Sequence, residues 1–275
     1  MTARELAGKE LAARIRADVA QRAAARRAEG RPARLVIVTA TDDEASAWYV
    51  RSIASAAAKT GIDCDVDDLG PAATAAGIAD RLMALSGDAS VDGVMLQTPL
   101  PPGVALADVS GAIDPAKDVD GANPLSLGRL AAGLPAYAPA TAAAVVALLD
   151  EHDLEAAGAR AVIVGRSAVV GKPLAHLLLD RDATVTVCHS RTRDLAAVTS
   201  TADVLVAAVG RTHLITPAHV RPGVVVVDVG TNPTPDGGLA GDVDPAVAGV
   251  AGALTPVPGG VGPVTTALLL QHVLD

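Results

Sequence analysis

Short apolar runs rich in β-branched residues alternate with alanine-rich segments along most of this 275-residue chain. Such runs, bounded by Gly and Pro, indicate buried strands, and the alanine-rich segments favour helices. Since parallel strands need crossover connections, the alternation predicts an α/β fold with parallel sheets covered by helices. The predicted strands are residues 35–39, 63–69, 93–96, 161–164, 184–188, 204–207 and 224–229, and the predicted helices are residues 4–28, 46–59, 72–86, 140–154, 174–179, 195–200, 217–220 and 265–274.

The alternation breaks after residue 96 and restarts near residue 140, which predicts two α/β units with a ligand cleft between them. The chain has no Phe, one Trp and two Tyr, so Ala, Val and Leu must fill both cores. A net charge of −9 argues against a nucleic-acid-binding protein, because such proteins need a basic surface. No uninterrupted apolar run is long enough to cross a membrane, and the charged N-terminus is unlike a signal peptide. We therefore expect a soluble, cytoplasmic protein that makes no membrane contact.

The two cysteines, Cys64 and Cys188, are isolated in the sequence. Neither belongs to a C-x-x-C pair or lies near a histidine pair at metal-binding spacing. The sequence therefore predicts neither a disulfide framework nor a zinc site.

A glycine-containing turn follows the predicted strand at residues 161–164. It contains Gly165, Arg166, Ser167 and Gly171. A strand, a glycine turn and a helix start can present backbone N–H groups to a phosphate. The usual dinucleotide fingerprint would need a glycine at position 167, so an ordinary βα turn remains an alternative.

The next predicted strand ends in C-H-S-R-T, residues 188–192, without an acidic residue. An acid at this strand end typically binds the ribose hydroxyl of NAD. Here Ser190 and Arg191, together with Arg166, supply hydrogen-bond donors instead. The pattern favours the 2′-phosphate of NADP, although a solvated polar loop would have the same composition.

Four further features suit a small-molecule site. Tyr49 lies on a predicted helix, and Gln97 follows a predicted strand at the usual rim of an α/β site. In K-D-V-D-G, Asp120 could pair with the N–C–N edge of a pterin or guanine, and the two carboxylates could also begin a metal site. Residues 255–265 form a stiff, bare backbone that could approach a flat ring. Taken singly, a core tyrosine, a loop glutamine and a charged turn remain alternatives.

In this order and spacing, these stretches resemble the methylenetetrahydrofolate dehydrogenase/cyclohydrolase (FolD) family. The matching segments are A-S-x-x-Y-V, L-Q-x-P-L-P, K-D-V-D-G, V-G-R-S-x-x-V-G-K-P, C-H-S-R-T, A-D-V-L-V-A-A-V-G, V-D-V-G-T-N and T-P-V-P-G-G-V-G-P-V-T. The resemblance implies a folate-binding catalytic domain at residues 1–139, to which a C-terminal helix at 264–275 returns. It also implies a Rossmann NADP-binding domain at residues 140–263 and a homodimer paired through that domain.

The implied chemistry has two steps. Members of the family oxidise 5,10-methylenetetrahydrofolate with NADP to the methenyl form, and then hydrolyse that cation to 10-formyltetrahydrofolate. By resemblance, Tyr49 stacks on the folate, Gln97 positions a catalytic lysine and Asp120 holds the pterin. The residues implied at the cofactor are Thr141, Gly165, Arg166, Ser167, Gly171, Ser190, Gly210 and Thr231, and those implied at the nicotinamide and folate are Pro258, Gly259, Gly260 and Pro263. No third or fourth oxygen ligand is evident near Asp118 and Asp120, so no metal site is predicted.

The catalytic lysine of that family is missing. The family has Y-V-x-x-K, whereas this chain has Ile53 at the lysine position and Ser55 at a second lysine position two residues on. The alignment has no gap, since the following Gly61 falls at the expected distance. The four lysines of the chain, Lys9, Lys59, Lys117 and Lys172, offer no obvious substitute.

Hydride transfer depends mainly on positioning, whereas hydrolysis needs an activated water and proton transfers. The sequence therefore predicts an NADP-dependent dehydrogenase with weak or absent cyclohydrolase activity. One alternative keeps both activities, with Tyr49 and a water or another side chain in place of the lysine. The other is a non-catalytic folate- and NADP-binding paralogue, or a dehydrogenase of another iminium-forming substrate.

Overall fold

The computed structural model describes residues 2–275, apart from the side chain of Ala45. It contains two compact units. The N-terminal unit comprises Ala13–Ala140 and Thr266–Asp275, and the C-terminal unit comprises Thr141–Thr265 together with the residues up to Ala12. The assignment of folate and NADP to separate domains stays a prediction at this point.

The strands and helices alternate as an α/β fold requires. The strands are β1 (Arg4–Glu5), β2 (Arg34–Thr39), β3 (Asp63–Asp68), β4 (Gly93–Leu96), β5 (Arg160–Val164), β6 (Thr184–Cys188), β7 (Val204–Ala207), β8 (Val225–Asp228), β9 (Asn232–Pro233), β10 (Leu239–Ala240) and β11 (Ala253–Leu254). The helices are α1 (Lys9–Ala28), α2 (Glu44–Thr60), α3 (Ala75–Gly87), α4 (Leu106–Val109), α5 (Pro124–Ala131), α6 (Ala140–Glu151), α7 (Gly171–Leu179), α8 (Leu195–Thr199) and α9 (Val261–His272).

The N-terminal unit is built on a three-stranded parallel sheet in the order β3-β2-β4. Successive side chains of the central strand β2 point to opposite faces of the sheet, so the strand contributes to two apolar cores. Leu35 and Ile37 join one apolar cluster with residues of α1, α2 and α9. Val36 and Val38 join a second cluster with residues of α3. Burial on both faces explains why this strand is a continuous apolar run.

The C-terminal unit is built on a six-stranded sheet in the order β1-β11-β8-β7-β5-β6. All of its strand pairs are parallel. The register aligns Val164 with Cys188 and with Ala207, so the carboxyl ends of β5, β6 and β7 lie level. The loops that follow these strands therefore leave one edge of the sheet, where α/β folds usually bind ligands.

Several sequence predictions need correction. The predicted helix at residues 4–28 starts only at Lys9, because Arg4–Glu5 pair with β11 through their backbone. The predicted helix at 265–274 starts earlier, at Val261, since Pro263 is tolerated in a first helical turn. The helical connection predicted at residues 217–220 is a single 3₁₀ turn, Pro217–His219. The short elements α4, α5, β9, β10 and β11 were not predicted.

Among the helices described over residues 2–275, none combines the length and the apolar composition needed to span a membrane.

Candidate active site

Gln97 and Asp120 lie at the same edge of the N-terminal sheet. Val94 of β4 forms a parallel bridge with Asp118, which places Asp120 level with Leu96, the last residue of β4. Gln97 comes next in the chain and is only 7% exposed. Its side-chain amide donates to the carbonyl of Thr98, and its backbone N–H donates to Val38 of β2.

Helix α2 brings Tyr49 to this edge. Asp43 caps the helix by accepting the backbone N–H of Ser46 at 2.8 Å, and the Ser46 hydroxyl donates to the Thr98 carbonyl at 3.2 Å. The start of α2 is thus tied to the loop that carries Gln97. One turn further, Tyr49 is half-buried, and its hydroxyl shares a hydrogen bond with Thr266.

The electrostatics keep Tyr49 protonated. Burial, and then the negative charge of Asp120, raise the pKa of the Tyr49 phenol well above its ordinary value. At neutral pH this hydroxyl can donate a hydrogen bond. It cannot take a proton from water.

Asp118 and Asp120 share a confined, partly desolvated turn. Burial, and then repulsion from Asp118, raise the pKa of Asp120 to about 7, although the backbone N–H of Ala140 donates to it. Asp118 is fully buried and accepts the N–H of Asn123 at 2.6 Å. Burial raises the pKa of Asp118 despite that bond. Asp120 can therefore change its protonation state near neutral pH.

Gly121 allows the Asp120 turn to pack closely on the chain before α6. Its φ is +63°, and a Cβ there would lie 2.6 Å from the Pro139 nitrogen and 2.9 Å from the Tyr137 carbonyl oxygen. A side chain at this position would push away residues 137–139, and with them Ala140, which binds Asp120.

Ile53 lies one turn after Tyr49 on α2 and is fully buried among apolar side chains, including Leu35, Ile37 and Val119. The lysine position of the resembling family is therefore filled by hydrocarbon packing. Lys59 is exposed near the end of α2. The amine of Lys117 donates to the backbone carbonyl of Asp88 at 2.7 Å.

In the C-terminal unit, the glycine turn after β5 is closely packed. A Cβ on Gly165 would lie 2.2 Å from the Ala208 carbonyl oxygen, and one on Gly171 would lie 2.1 Å from the Gly165 carbonyl oxygen. The Ser167 hydroxyl accepts the N–H of Val170 at 3.1 Å, which shapes the turn before α7. Arg166 and Ser167 remain exposed.

The turn after β6 presents donors beside this loop. The N–H of His189 donates to the Thr192 hydroxyl at 2.9 Å, and the N–H of Thr192 donates back to the His189 carbonyl at 2.8 Å. Ser190 is held exposed between them. Because Val164 and Cys188 are paired in register, Arg166 and Ser190 both lie two residues beyond level strand ends. A guanidinium, a hydroxyl and no carboxylate at this position fit a phosphate dianion.

Sequence reasoning missed Asp242 and Asp228, two buried carboxylates beneath the neighbouring loops. Asp242 accepts the N–H groups of Val209, Gly210 and Arg211 at 2.6, 3.0 and 2.8 Å. Asp228 accepts the N–H of Asp242 at 2.9 Å. Burial is the larger effect and raises the pKa of Asp228 above its ordinary value, although the backbone N–H donors around the carboxyl oppose this rise. The sequence signal was an aspartate inside an apolar strand, because a buried carboxylate must find partners.

The remaining predicted cofactor residues lie on other segments of the C-terminal unit. Gly210, with φ of +63°, is in the loop held by Asp242. Thr231 is exposed between β8 and β9, and Thr141 is half-buried in the first turn of α6.

The glycine- and proline-rich loop follows β11 and packs against the start of the chain. Gly8 donates its N–H to the Gly259 carbonyl at 2.9 Å, and a Cβ on Gly8 would lie 2.2 Å from the Gly260 carbonyl oxygen. Pro258 is exposed, and Pro263 is half-buried in the first turn of α9.

The predicted site residues thus form two groups. The first group is at one edge of the N-terminal sheet. The negative charge of Asp120 raises the pKa of Tyr49 there, and Gln97 lies at the same edge. Within residues 2–275, no group of three or more His, Cys, Asp or Glu side chains is placed to hold a metal ion. The predicted cofactor residues Gly165, Arg166, Ser190 and Gly210 follow neighbouring strands of the C-terminal sheet.

Comparison with known proteins gives a consistent result. Residues 6–120 match the catalytic domain, and residues 139–275 the NAD(P)-binding domain, of tetrahydrofolate dehydrogenase/cyclohydrolase. The chain is 64% identical to bifunctional protein FolD 1 of Saccharopolyspora erythraea, over 98% of this chain and 92% of that protein. The FolD structure of Trypanosoma brucei, complexed with NADP and an inhibitor, superposes with a TM-score of 0.93 at 34% identity, covering 100% and 97% of the chains. The structure of a 5,10-methylenetetrahydrofolate dehydrogenase from the silkworm, Bombyx mori, superposes with a TM-score of 0.87 at 38% identity. The match covers 99% of this chain and 97% of the silkworm chain.

Proposed function

We propose that this chain, which belongs to the tetrahydrofolate dehydrogenase/cyclohydrolase family, oxidises 5,10-methylenetetrahydrofolate to the 5,10-methenyl form with NADP and has weak or absent cyclohydrolase activity. The observation that carries the proposal is the site itself. Tyr49, Gln97 and Asp120 are kept at one edge, while the lysine position beside them is the fully buried Ile53.

The C-terminal unit carries the groups that would hold NADP. Arg166 and Ser190 bind the 2′-phosphate with charge-assisted hydrogen bonds. Ser167 and Gly171 line the turn that receives the pyrophosphate. NADP, when bound, supplies the hydride acceptor. Thr141, Gly210 and Thr231 complete the proposed cofactor set.

The N-terminal unit orients the folate. Asp120 pairs with the N–C–N edge of the pterin, and Tyr49 stacks on the folate and donates from its hydroxyl. Pro258, Gly259, Gly260 and Pro263 complete the proposed folate set. The nitrogens of the substrate supply the electrons that expel hydride, so this step needs positioning more than acid–base groups.

Hydrolysis of the methenyl cation has other requirements. A water must be activated, and general acid–base catalysis is worth about 10²–10⁴-fold in such steps. Ile53 can neither donate nor accept a proton, and the raised pKa keeps Tyr49 protonated. Most of the methenyl product is therefore expected to leave the enzyme unhydrolysed.

A second candidate keeps both activities. The relative from Saccharopolyspora erythraea is named a bifunctional protein. Asp120, whose pKa is raised to about 7, could exchange a proton with water near neutral pH. Under this alternative, Ile53→Lys raises hydrolysis little, because Asp120 already serves the step.

The third candidate is a non-catalytic folate- and NADP-binding paralogue, or a dehydrogenase of another iminium-forming substrate. The complete folate set of Tyr49, Gln97 and Asp120 argues against a sensor of NADP alone and against a different substrate. Absence of reduced cofactor in an assay with NADP and methylenetetrahydrofolate would favour this candidate.

The decisive experiment follows both products. The protein is incubated with NADP and methylenetetrahydrofolate, reduced NADP is measured by absorbance, and the folates are separated by chromatography. We expect methenyltetrahydrofolate to form in step with reduced NADP, and 10-formyltetrahydrofolate to form at or little above the rate without enzyme. Formyl product that keeps pace with reduced NADP would support the second candidate.

We also propose a homodimer paired through the C-terminal units. Its support is apolar surface at β6, the strand at one end of the six-stranded sheet, where Val187 is 37% exposed, and at the end of α7, where Leu179 is 52% exposed. Light scattering should give a dimer mass for the wild type and a monomer mass for Val187→Glu. An unchanged mass would contradict this pairing.

The cytoplasmic location expected from the sequence stays a prediction.

A further inference from the structure

The backbone carbonyl between the two aspartates receives a side-chain hydrogen bond from the last helix. His272, the final residue of α9, lies with its Nδ1 2.8 Å from the Val119 carbonyl oxygen. A carbonyl oxygen can only accept, so Nδ1 carries the hydrogen and donates. The side chain of Val119 is fully buried.

The His272 ring is packed in a fixed position in the N-terminal unit. It packs on Tyr137 with ring centroids 4.8 Å apart and an interplanar angle of 31°. Burial lowers the pKa of His272 below its ordinary value, although the bond to Val119 and the nearby Asp275 partly offset this effect. Arg22 secures the end of the chain by donating to the Leu274 carbonyl and to Asp275, each at 2.7 Å.

The contact acts on the peptide that leads into Asp120. The Val119 carbonyl belongs to the same rigid peptide plane as the Asp120 nitrogen, so a donor at this oxygen fixes the direction in which Asp120 enters its turn. The backbone N–H of Ala140 donates to the Asp120 carboxyl, and Gly121 is packed against residues 137–139. Contacts to the preceding peptide, to the carboxyl and to the following residue therefore all position Asp120.

We infer that His272 is a positioning residue for Asp120, acting through the Val119 carbonyl. The inference rests on the proposed function, in which Asp120 binds the pterin. His272 does not touch the substrate in this account. Its contribution is to hold the Asp120 carboxyl at one angle, so that both hydrogen bonds to the pterin edge form together.

Two substitutions separate the hydrogen bond from the packing. His272→Phe keeps a ring against Tyr137 and removes the donor. His272→Asn loses the ring but keeps an amide N–H close to the position of Nδ1. Arg22→Ala is the control, because it loosens the same end of the chain without touching the Val119 carbonyl.

The readout is steady-state kinetics with each substrate varied in turn. We expect His272→Phe to lower kcat/KM for methylenetetrahydrofolate by about fivefold to tenfold, as for one lost hydrogen bond. KM for NADP should stay within about twofold, and His272→Asn should recover most of the loss. Arg22→Ala should lower the melting temperature with little change in folate kcat/KM.

Three results would overturn the inference. The first is an unchanged kcat/KM for the folate in His272→Phe. The second is an equal loss of this kcat/KM in His272→Phe and His272→Asn. The third is a loss in Arg22→Ala as large as the loss in His272→Phe. If His272→Phe does not fold, His272→Leu replaces it with the same expectations. If the wild type shows no turnover, the proposed function fails separately. The same variants are then compared by calorimetry with tetrahydrofolate as titrant, where equal affinities would overturn the positioning role.

Discussion

Replacing Asp120 by asparagine should make the protein more stable at neutral pH while removing its folate chemistry. Asn is nearly isosteric with Asp but cannot ionise. In the folded chain, burial and then Asp118 raise the pKa of Asp120 from 3.8 to about 7. The folded state therefore keeps a proton over a pH range in which the unfolded chain has lost it, and stability falls as pH rises through that range.

The size of the effect follows from the shift. At about 1.4 kcal/mol per pKa unit, the difference between the folded and unfolded pKa of Asp120 lowers the free energy of unfolding by about 4 kcal/mol. Below about pH 4 both states hold the proton, and above about pH 7 neither does, so the loss falls between these limits. The Asp120→Asn variant should escape it.

The measurement is the free energy of unfolding in urea, followed by circular dichroism at several pH values from 4 to 8. The gap between variant and wild type should widen in favour of the variant by about 4 kcal/mol over this range. The exposed Asp42→Asn is the matched control for the change from a carboxylate to an amide. A gap that stays constant within about 1 kcal/mol would refute the raised pKa of Asp120.

Three further predictions address other parts of the site. Asp242→Ala leaves three backbone N–H groups without their acceptor, so urea unfolding should show a loss of at least about 3 kcal/mol, against almost none for the exposed Asp236→Ala. Arg166→Ala should raise KM for NADP by about tenfold and leave KM for NAD nearly unchanged, whereas equal changes in both would count against a 2′-phosphate contact. Gly121→Ala should weaken folate binding in calorimetry because its Cβ meets residues 137–139, while Gly128→Ala, which has open space around it, should bind normally.

The elements that could be predicted from the sequence are those whose burial shows in their composition. The strand Gly93–Leu96 was predicted with its observed bounds, because an apolar run between polar and proline residues has few other uses. Strand β1 was missed because both of its side chains are exposed and its pairing uses only the backbone. The early start of α9 was missed because Pro and Gly read as loop residues, although the first helical turn accepts them.

The candidate site was only partly visible in the sequence for a similar reason. Tyr49, Gln97 and Asp120 belong to ordered motifs, and the missing lysine at Ile53 shows only against such a motif. Asp242 collects N–H groups more than 30 residues away in the chain. Such a contact leaves no local pattern. His272 is a lone histidine whose partner lies 153 residues earlier, so no sequence spacing could reveal it.

The most direct test of the account is the rate at which this protein hydrolyses 5,10-methenyltetrahydrofolate, measured on a preparation that reduces NADP with methylenetetrahydrofolate. Ile53→Lys restores an amine at the buried position, and Ile53→Met is the control that keeps it apolar. Hydrolysis at or little above the uncatalysed rate is expected for the wild type and for Ile53→Met, with a gain for Ile53→Lys. Wild-type hydrolysis well above the uncatalysed rate would contradict it.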